Sequence, residues 1–467
     1  MTSKTARVLL ASLTAFGAVL TTTRSALADS TESNATLTNF QKPAWLTDLG
    51  VEGKESYDDN VLGVSGDGLK PKESWVDTLS FKIGFNFATL LPTGGAVQSL
   101  SLIYSVDAAT YTSDSAENNV QHKLNFIFKG KSDNISWSLD DALLDVDGDK
   151  NAPLYAKNQL GATAPGSDQN DKYRNNYAHA VARERRDQVQ NRYTAFVQFD
   201  EGAFFLRPIA QMTFYNLETN IFNTSAAPYK GYQDYVDRWD LNEGADLGYR
   251  LTPKLSVTLG YRDGYQHQDG FTAAINSDLH QASNHYQRAL LGLEGKLTDW
   301  LTVKLAAGPD FKDFNPDTAI IHDRTTRYYG EGSAVATLPQ DQSLTFSYKQ
   351  WYFVSSTGLV PYEDTTVSLV YHKGLTKQLG VDLGVKYLEA NYTIGNDYAG
   401  SAPDLRDDGD IGASVGLSYA VTPHFVVAVT YNHDDGRNQL SGLAAKYFPN
   451  YRDFDHNITA IDLKYKF

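Results

Sequence analysis

The chain has 467 residues, 41% of them hydrophobic and 12% aromatic, with a formal net charge of -15 at pH 7. Cysteine is absent, which excludes a disulfide framework, a thiolate metal site and a lipid-modified cysteine. The acidic balance argues against nucleic acid or an anionic membrane surface as a partner.

The first 28 residues read as a signal peptide. Lys4 and Arg7 form a positive start, Val8 to Leu20 an apolar core, and Ala26-Leu27-Ala28 a small-residue cleavage site before Asp29. Removing 1–28 takes away Lys4, Arg7 and Arg24 and no acid, leaving 38 basic against 56 acidic side chains, a formal -18. Residues 29–47 form a polar leader, expected in the periplasm. After the first thirty residues no apolar run reaches the roughly 18 residues of a membrane-spanning helix.

From there to the end, alternating segments follow one another. Leu79, Phe81, Ile83, Phe85 and Phe87 alternate with Ser80, Lys82, Gly84, Asn86 and Ala88. Val381, Leu383, Val385 and Tyr387 alternate with Asp382, Gly384 and Lys386. Phe425, Val427, Val429 and Tyr431 do the same with Val426, Ala428 and Thr430. A strand sends successive side chains to opposite faces, so each segment has one apolar face and one small or polar face. The pattern predicts strands at 49–57, 75–90, 97–110, 119–130, 133–146, 190–200, 203–219, 239–251, 253–266, 284–296, 299–312, 325–338, 341–355, 361–374, 377–393, 409–421, 423–435 and 456–467. Most exceed the usual soluble strand and suit a tilted transmembrane one.

Connections alternate short and long. Several short ones share an order of apolar residue, Thr, turn former, apolar residue: Leu251-Thr252-Pro253-Lys254-Leu255, Leu297-Thr298-Asp299-Trp300-Leu301 and Val421-Thr422-Pro423-His424-Phe425. Pro and Asp fit the centres of tight turns. The long connections, 58–74, 147–189, 220–238, 267–283, 313–324, 394–408 and 436–455, are polar. The expected fold is all-β: residues 48–467 form a transmembrane antiparallel β-barrel of about eighteen strands, with sixteen also compatible. Its turns would be short in the periplasm and its loops long outside.

The last strand ends in Ile461, Leu463, Tyr465 and Phe467. That ending resembles the signal by which bacterial outer-membrane barrels are recognised for insertion, and implies the barrel assembly machinery as a partner. Near the first strand, Tyr57-Asp58-Asp59-Asn60 precedes the apolar Val61. This opening, the chain length, the long third loop and the terminal Phe resemble the β-barrel porin-2 family of outer-membrane proteins, over essentially the whole mature chain in layout. The resemblance implies a Gram-negative outer-membrane barrel, reached after cleavage near Ala28. Some members are thought to be diffusion porins and others to accompany polysaccharide export. It brings no catalytic residues and no cofactor.

The longest loop, 147–189, is the candidate pore constriction. Acids gather at its start (Asp140, Asp141, Asp145, Asp147, Asp149) and bases near its end (Arg183, Arg185, Arg186, then Arg192). Opposed charges across a lumen would give a transverse field that filters polar solutes; the alternative is a solvated surface loop. Asp145-Val146-Asp147-Gly148-Asp149 resembles a calcium loop but has Gly at its fourth position and Ala156 at the twelfth, so no metal site is expected. Gly412-Ala413-Ser414-Val415-Gly416 matches a hydrolase elbow in letters only, because Val415, Leu417 and Tyr419 continue a strand. No enzyme is expected. Trp351, Tyr352 and Phe353 belong either to an interfacial aromatic girdle or to a sugar-stacking track.

The function expected is passive diffusion of small hydrophilic solutes or ions through an outer-membrane porin-like channel, surrounded by outer-membrane lipids. The alternative is the barrel of a polysaccharide export system. No nucleic acid is expected as a partner, and a homo-oligomer is compatible. The negative charge of the chain points to cation preference.

Overall fold

The structure is a computed structural model that describes residues 42–61, 73–92, 94–113, 115–148, 187–216, 237–269, 271–272, 279–280, 282–315, 324–354, 361–393, 405–440 and 454–467. Residues Trp45–Lys466 form one unit, a closed barrel of eighteen antiparallel strands. In chain order these are β1 (Leu46–Asp58), β2 (Ser74–Asn86), β3 (Val97–Tyr111), β4 (Asn119–Ser132), β5 (Ile135–Asp147) and β6 (Gln188–Glu201). Then come β7 (Phe204–Asn216), β8 (Arg238–Thr252), β9 (Leu255–Gln268), β10 (Asn284–Lys296), β11 (Leu301–Phe314) and β12 (Arg324–Leu338). The last six are β13 (Gln342–Phe353), β14 (Tyr362–Gly374), β15 (Leu379–Thr393), β16 (Leu405–Ala420), β17 (Phe425–Leu440) and β18 (Phe454–Lys466). A two-residue pairing of Phe271–Thr272 with Leu279–His280 lies apart from the barrel sheet.

Each strand pairs with its neighbours in sequence, and β18 pairs with β1 from Gly50↔Lys466 to Asp58↔Ile458. Closure leaves the sheet without a free edge strand. All eighteen expected strands are present, so sixteen is set aside. Most expected ends fall within two residues of the observed ones, and the segment 75–90 overruns its strand the furthest among those whose ends are described. β2 stops at Asn86, whose side-chain oxygen accepts from the Ala88 N–H at 3.1 Å and turns Phe87–Leu90 into a 3-10 helix.

The short turns explain their own sequences. Thr298 Oγ accepts from the Leu301 N–H, Thr376 Oγ from the N–H groups of Gln378 and Leu379, and Thr422 Oγ from those of His424 and Phe425, all at 3.0–3.2 Å. A hydroxyl in this position closes the turn by caring for backbone donors that have left the ladder. In each case the apolar residue before the Thr donates its N–H to the carbonyl of the one after the turn: Leu297 to Leu301, Leu375 to Leu379, Val421 to Phe425. Elsewhere β5 begins at Ile135 rather than 133 because Asp133 sits at φ 46°, in a tight hairpin turn.

Residues directly opposite on antiparallel strands share a face, so the register sorts every side chain. One face carries large exposed apolar residues: Leu79, Leu247, Leu259, Leu291, Leu417 and Ile461 are 47–66% exposed. The other carries Asp240, Arg262, Asn284, Asp310, Lys386 and Asp434, all buried. The barrel is therefore apolar outside and polar inside, in the phase the alternation predicted for β2, β15 and β17.

Candidate functional site: the barrel lumen

The lumen is narrowed by a strand end that leaves the wall. β12 and β13 pair from Leu338↔Gln342 to Gly330↔Gln350 and no further. Beyond that point Trp351–Phe353 stay with β14 alone, from Trp351↔Asp364 to Phe353↔Tyr362. Both faces of this tip are covered: Tyr352 and Phe353 are 1% exposed, Val354 and Tyr362 0%.

Its contacts say where it goes. Gln266 Nε2 on β9 donates to the Tyr352 carbonyl at 3.1 Å, and Arg238 Nη1 on β8 donates to the Val354 carbonyl at 2.7 Å. The Arg238 guanidinium lies 4.5 Å from the Tyr215 ring and 4.6 Å from the Phe353 ring, a cation held between two aromatic faces. On the way the tip meets Phe314 of β11 edge-on, and Arg327 of β12 over the Tyr352 ring. The tip thus leans across the inner faces of β10–β12 to reach β8 and β9. The run Trp351-Tyr352-Phe353-Val354 was the sequence signal. Four apolar residues in succession abandon the alternation that a wall strand requires.

Inside the wall that the tip covers, charges are buried in mutual contact. Tyr286 OH donates to Asp240 Oδ1 at 2.9 Å and Gln266 Nε2 to Asp240 Oδ2 at 2.8 Å. Lys312 Nζ reaches Gln266 Oε1 at 3.1 Å and lies 3.6 Å from Asp310, which also binds Arg288 at 3.1 Å. Arg288 in turn stacks 3.6 Å from the Tyr329 ring. Buried charges are tolerated when paired and hydrogen-bonded in this way. Toward the short-turn end, Arg207 bridges Glu294 (2.8 Å) and Asp246 (2.9 Å), and Arg262 holds the other Asp246 oxygen at 2.8 Å. On the far side Lys386 sits between Asp410 (3.2 Å) and Asp434 (2.8 Å).

The inner wall of β3–β6 is different. Its side chains, among them Ser101, Ser105, Asp107, Lys123, Asn125, Asp140 and Thr194, are only half-buried. The accessible path is therefore eccentric, against β3–β6, with the aromatic tip on the opposite side.

Several expected residues fall elsewhere. Asp145 and Asp147 are not in a loop; they end β5, and Asp145 stands opposite His122 and Val189. By register they share the outward face with Leu139 and Leu143, so they do not line the lumen. Asp140 is the acid of this group that turns inward, opposite Ile127 and Thr194. Asp149, Arg183, Arg185 and Arg186 lie outside the described residues. Ile461, Leu463 and Tyr465 are outward and 39–50% exposed. Trp351 and Phe353 stack on each other at 4.3 Å, and their burial leaves no ring face for a sugar. Gly412–Gly416 lies within β16, paired on both sides, without the turn and helix of a hydrolase elbow.

The Tyr57–Val61 segment closes the barrel at its long-loop end. Asp58 Oδ1 and His456 Nε2 are 2.8 Å apart, and Asp59 accepts from the Asn457 N–H and Nδ2, each at 2.7 Å. Asn60 Nδ2 donates to the Asp455 carbonyl at 3.0 Å, and Val61 packs with Val76 and Tyr111. Asp58, Asp59 and His456 are the group of described residues whose possible metal-ligand atoms come within 4.8 Å of one another. Each is already engaged across the β1–β18 seam, so the cluster reads as a staple.

No family model and no curated protein matches the sequence, so membership of the porin-2 family is not shown. Among solved structures the chain is similar to OccAB3 of Acinetobacter baumannii (12% identity, TM-score 0.41), over 90% of this chain and 99% of that one. It is similar to OccK11 of Pseudomonas aeruginosa (11%, 0.39; 92% and 99%) and to the FrpB iron transporter of Neisseria meningitidis (9%, 0.40; 90% and 81%). At such TM-scores the likenesses carry no argument about substrate or mechanism, and the barrel stands on its own strand pairing.

Proposed function

We propose that the chain is an outer-membrane channel through which small hydrophilic solutes diffuse passively. The observation that carries this is the sorting of side chains by face: an apolar exterior around a polar interior, with an inner wall on β3–β6 that stays accessible. A barrel in water would leave Leu259, Leu291 and Ile411, each at least 60% exposed, against solvent. Lipid hydrocarbon would stabilise each such side chain by about 1.5–3 kcal/mol. The long loops would face the exterior and the short turns the periplasm. The Trp351–Val354 tip sets the narrow point, and loop 147–189 adds to it if it folds inward.

Planar-bilayer recording on refolded residues 29–467 tests the reading. Discrete open steps are expected. A barrel that inserts correctly but passes no current would remove passive diffusion and favour the export barrel, working with partners that open it.

A further inference from the structure

The formal charge of the chain predicts a cation-preferring pore, but the charges are not shared evenly between the two faces. By register, Glu55, Glu243, Asp263, Glu389, Asp435 and Asp455 all lie on the outward face, where a diffusing ion in the lumen does not meet them. The inner wall of β18 and β1–β4 is built the other way.

Lys466 of β18, Gly50 of β1, Lys82 of β2, Ser105 of β3 and Lys123 of β4 form one cross-strand row on the inner face. Three ion pairs tie acids to this wall: Lys123–Asp107, Lys82–Asp48 and Lys464–Glu52, at 2.5, 3.7 and 3.2 Å. In each the lysine is the more exposed partner: 37% against 25%, 51% against 35%, 40% against 31%. Among the described residues, Lys129 and Lys466 are exposed on the same wall with no ion pair. Asp140 of β5, half-buried and opposite Ile127, also faces inward, on the short-turn side of Lys123. On this wall the ammonium is the more exposed group of each pair, whereas inward Asp382 of β15 is 50% exposed beside His372.

We infer that the channel prefers anions, and that its short-turn mouth concentrates small solutes bearing carboxylate, phosphate or halide charge. This inference rests on the channel reading above. Charge on a pore wall acts over about 10 Å at moderate salt, so an ammonium row on one side of an eccentric path is enough to bias the ions passing it.

The test is the reversal potential of the refolded protein in a potassium chloride gradient, for the wild type and for the double variant Lys129→Gln/Lys466→Gln. Both lysines are exposed and form no ion pair among the described residues, so the variant should refold, and circular dichroism checks it. The expected result is a wild-type potential of the sign for chloride preference, with the chloride-to-potassium permeability ratio falling about twofold or more in the variant. Potassium preference in the wild type, or an unchanged ratio in the variant, would overturn the inference while leaving the channel in place. An inserted protein that carries no current removes the channel itself, and the selectivity with it.

Discussion

At the scale of single residues, Arg238 does the most. Its guanidinium is buried between two rings and donates to the carbonyl of Val354, so one side chain ties the tip to β8. Removing it leaves that carbonyl to water and separates Tyr215 from Phe353. Arg238→Ala is expected to free the tip and raise the single-channel conductance, read in planar bilayers; a conductance equal to the wild type would mean the tip is held by its own apolar packing. Lys386 makes the contrasting case. It neutralises two carboxylates deep in the wall, and its loss would strand both, at a cost of roughly 3–5 kcal/mol.

At the scale of elements, the turns and the outward faces carry separate tasks. Thr422 accepts two backbone N–H groups in the β16–β17 turn. Thr422→Ala should lower stability by about 1 kcal/mol, the net worth of a typical hydrogen bond, measured by denaturant unfolding from vesicles. A larger loss would mean that the turn sets the register of the whole hairpin. The outward face answers to lipid instead. Leu291, 66% exposed in the middle of β10, should cost about 2–4 kcal/mol when changed to Arg, by the same unfolding assay. An Arg tolerated there would argue that this face meets water or a protein partner.

At the scale of the whole molecule, the decisive event is closure. β1 and β18 lie at opposite ends of the chain, and the only way to join them is through a complete circuit of strands. Their ladder is shorter than most in the barrel, nine opposed pairs, and it is reinforced at the long-loop end by Asp58–His456 and Asp59–Asn457. Weakening the seam should therefore affect every strand at once. His456→Ala is expected to lower the unfolding midpoint of the intact barrel as a single cooperative step, followed by circular dichroism. A separate early transition confined to part of the signal would show that the seam opens independently.

Alternation, turn chemistry and the rhythm of short and long connections are local properties, repeated eighteen times, and they determined the strand list and the barrel class from the chain alone. Period two needs only the neighbouring residues, which is why even the phase of β2 and β17 was legible. The lumen was not. The tip leaves the wall because Trp351–Val354 finds partners on β7, β8, β9 and β11, more than eighty residues away for Gln266, and no local rule names them. The face of Asp145 was likewise undecided until the register of β4, β5 and β6 was set, since a shift of one residue reverses every side chain. The net charge belonged to the sequence. Which side of the wall each charge faces, and hence what a solute meets, belonged to the tertiary structure, because only closure separates an inside from an outside.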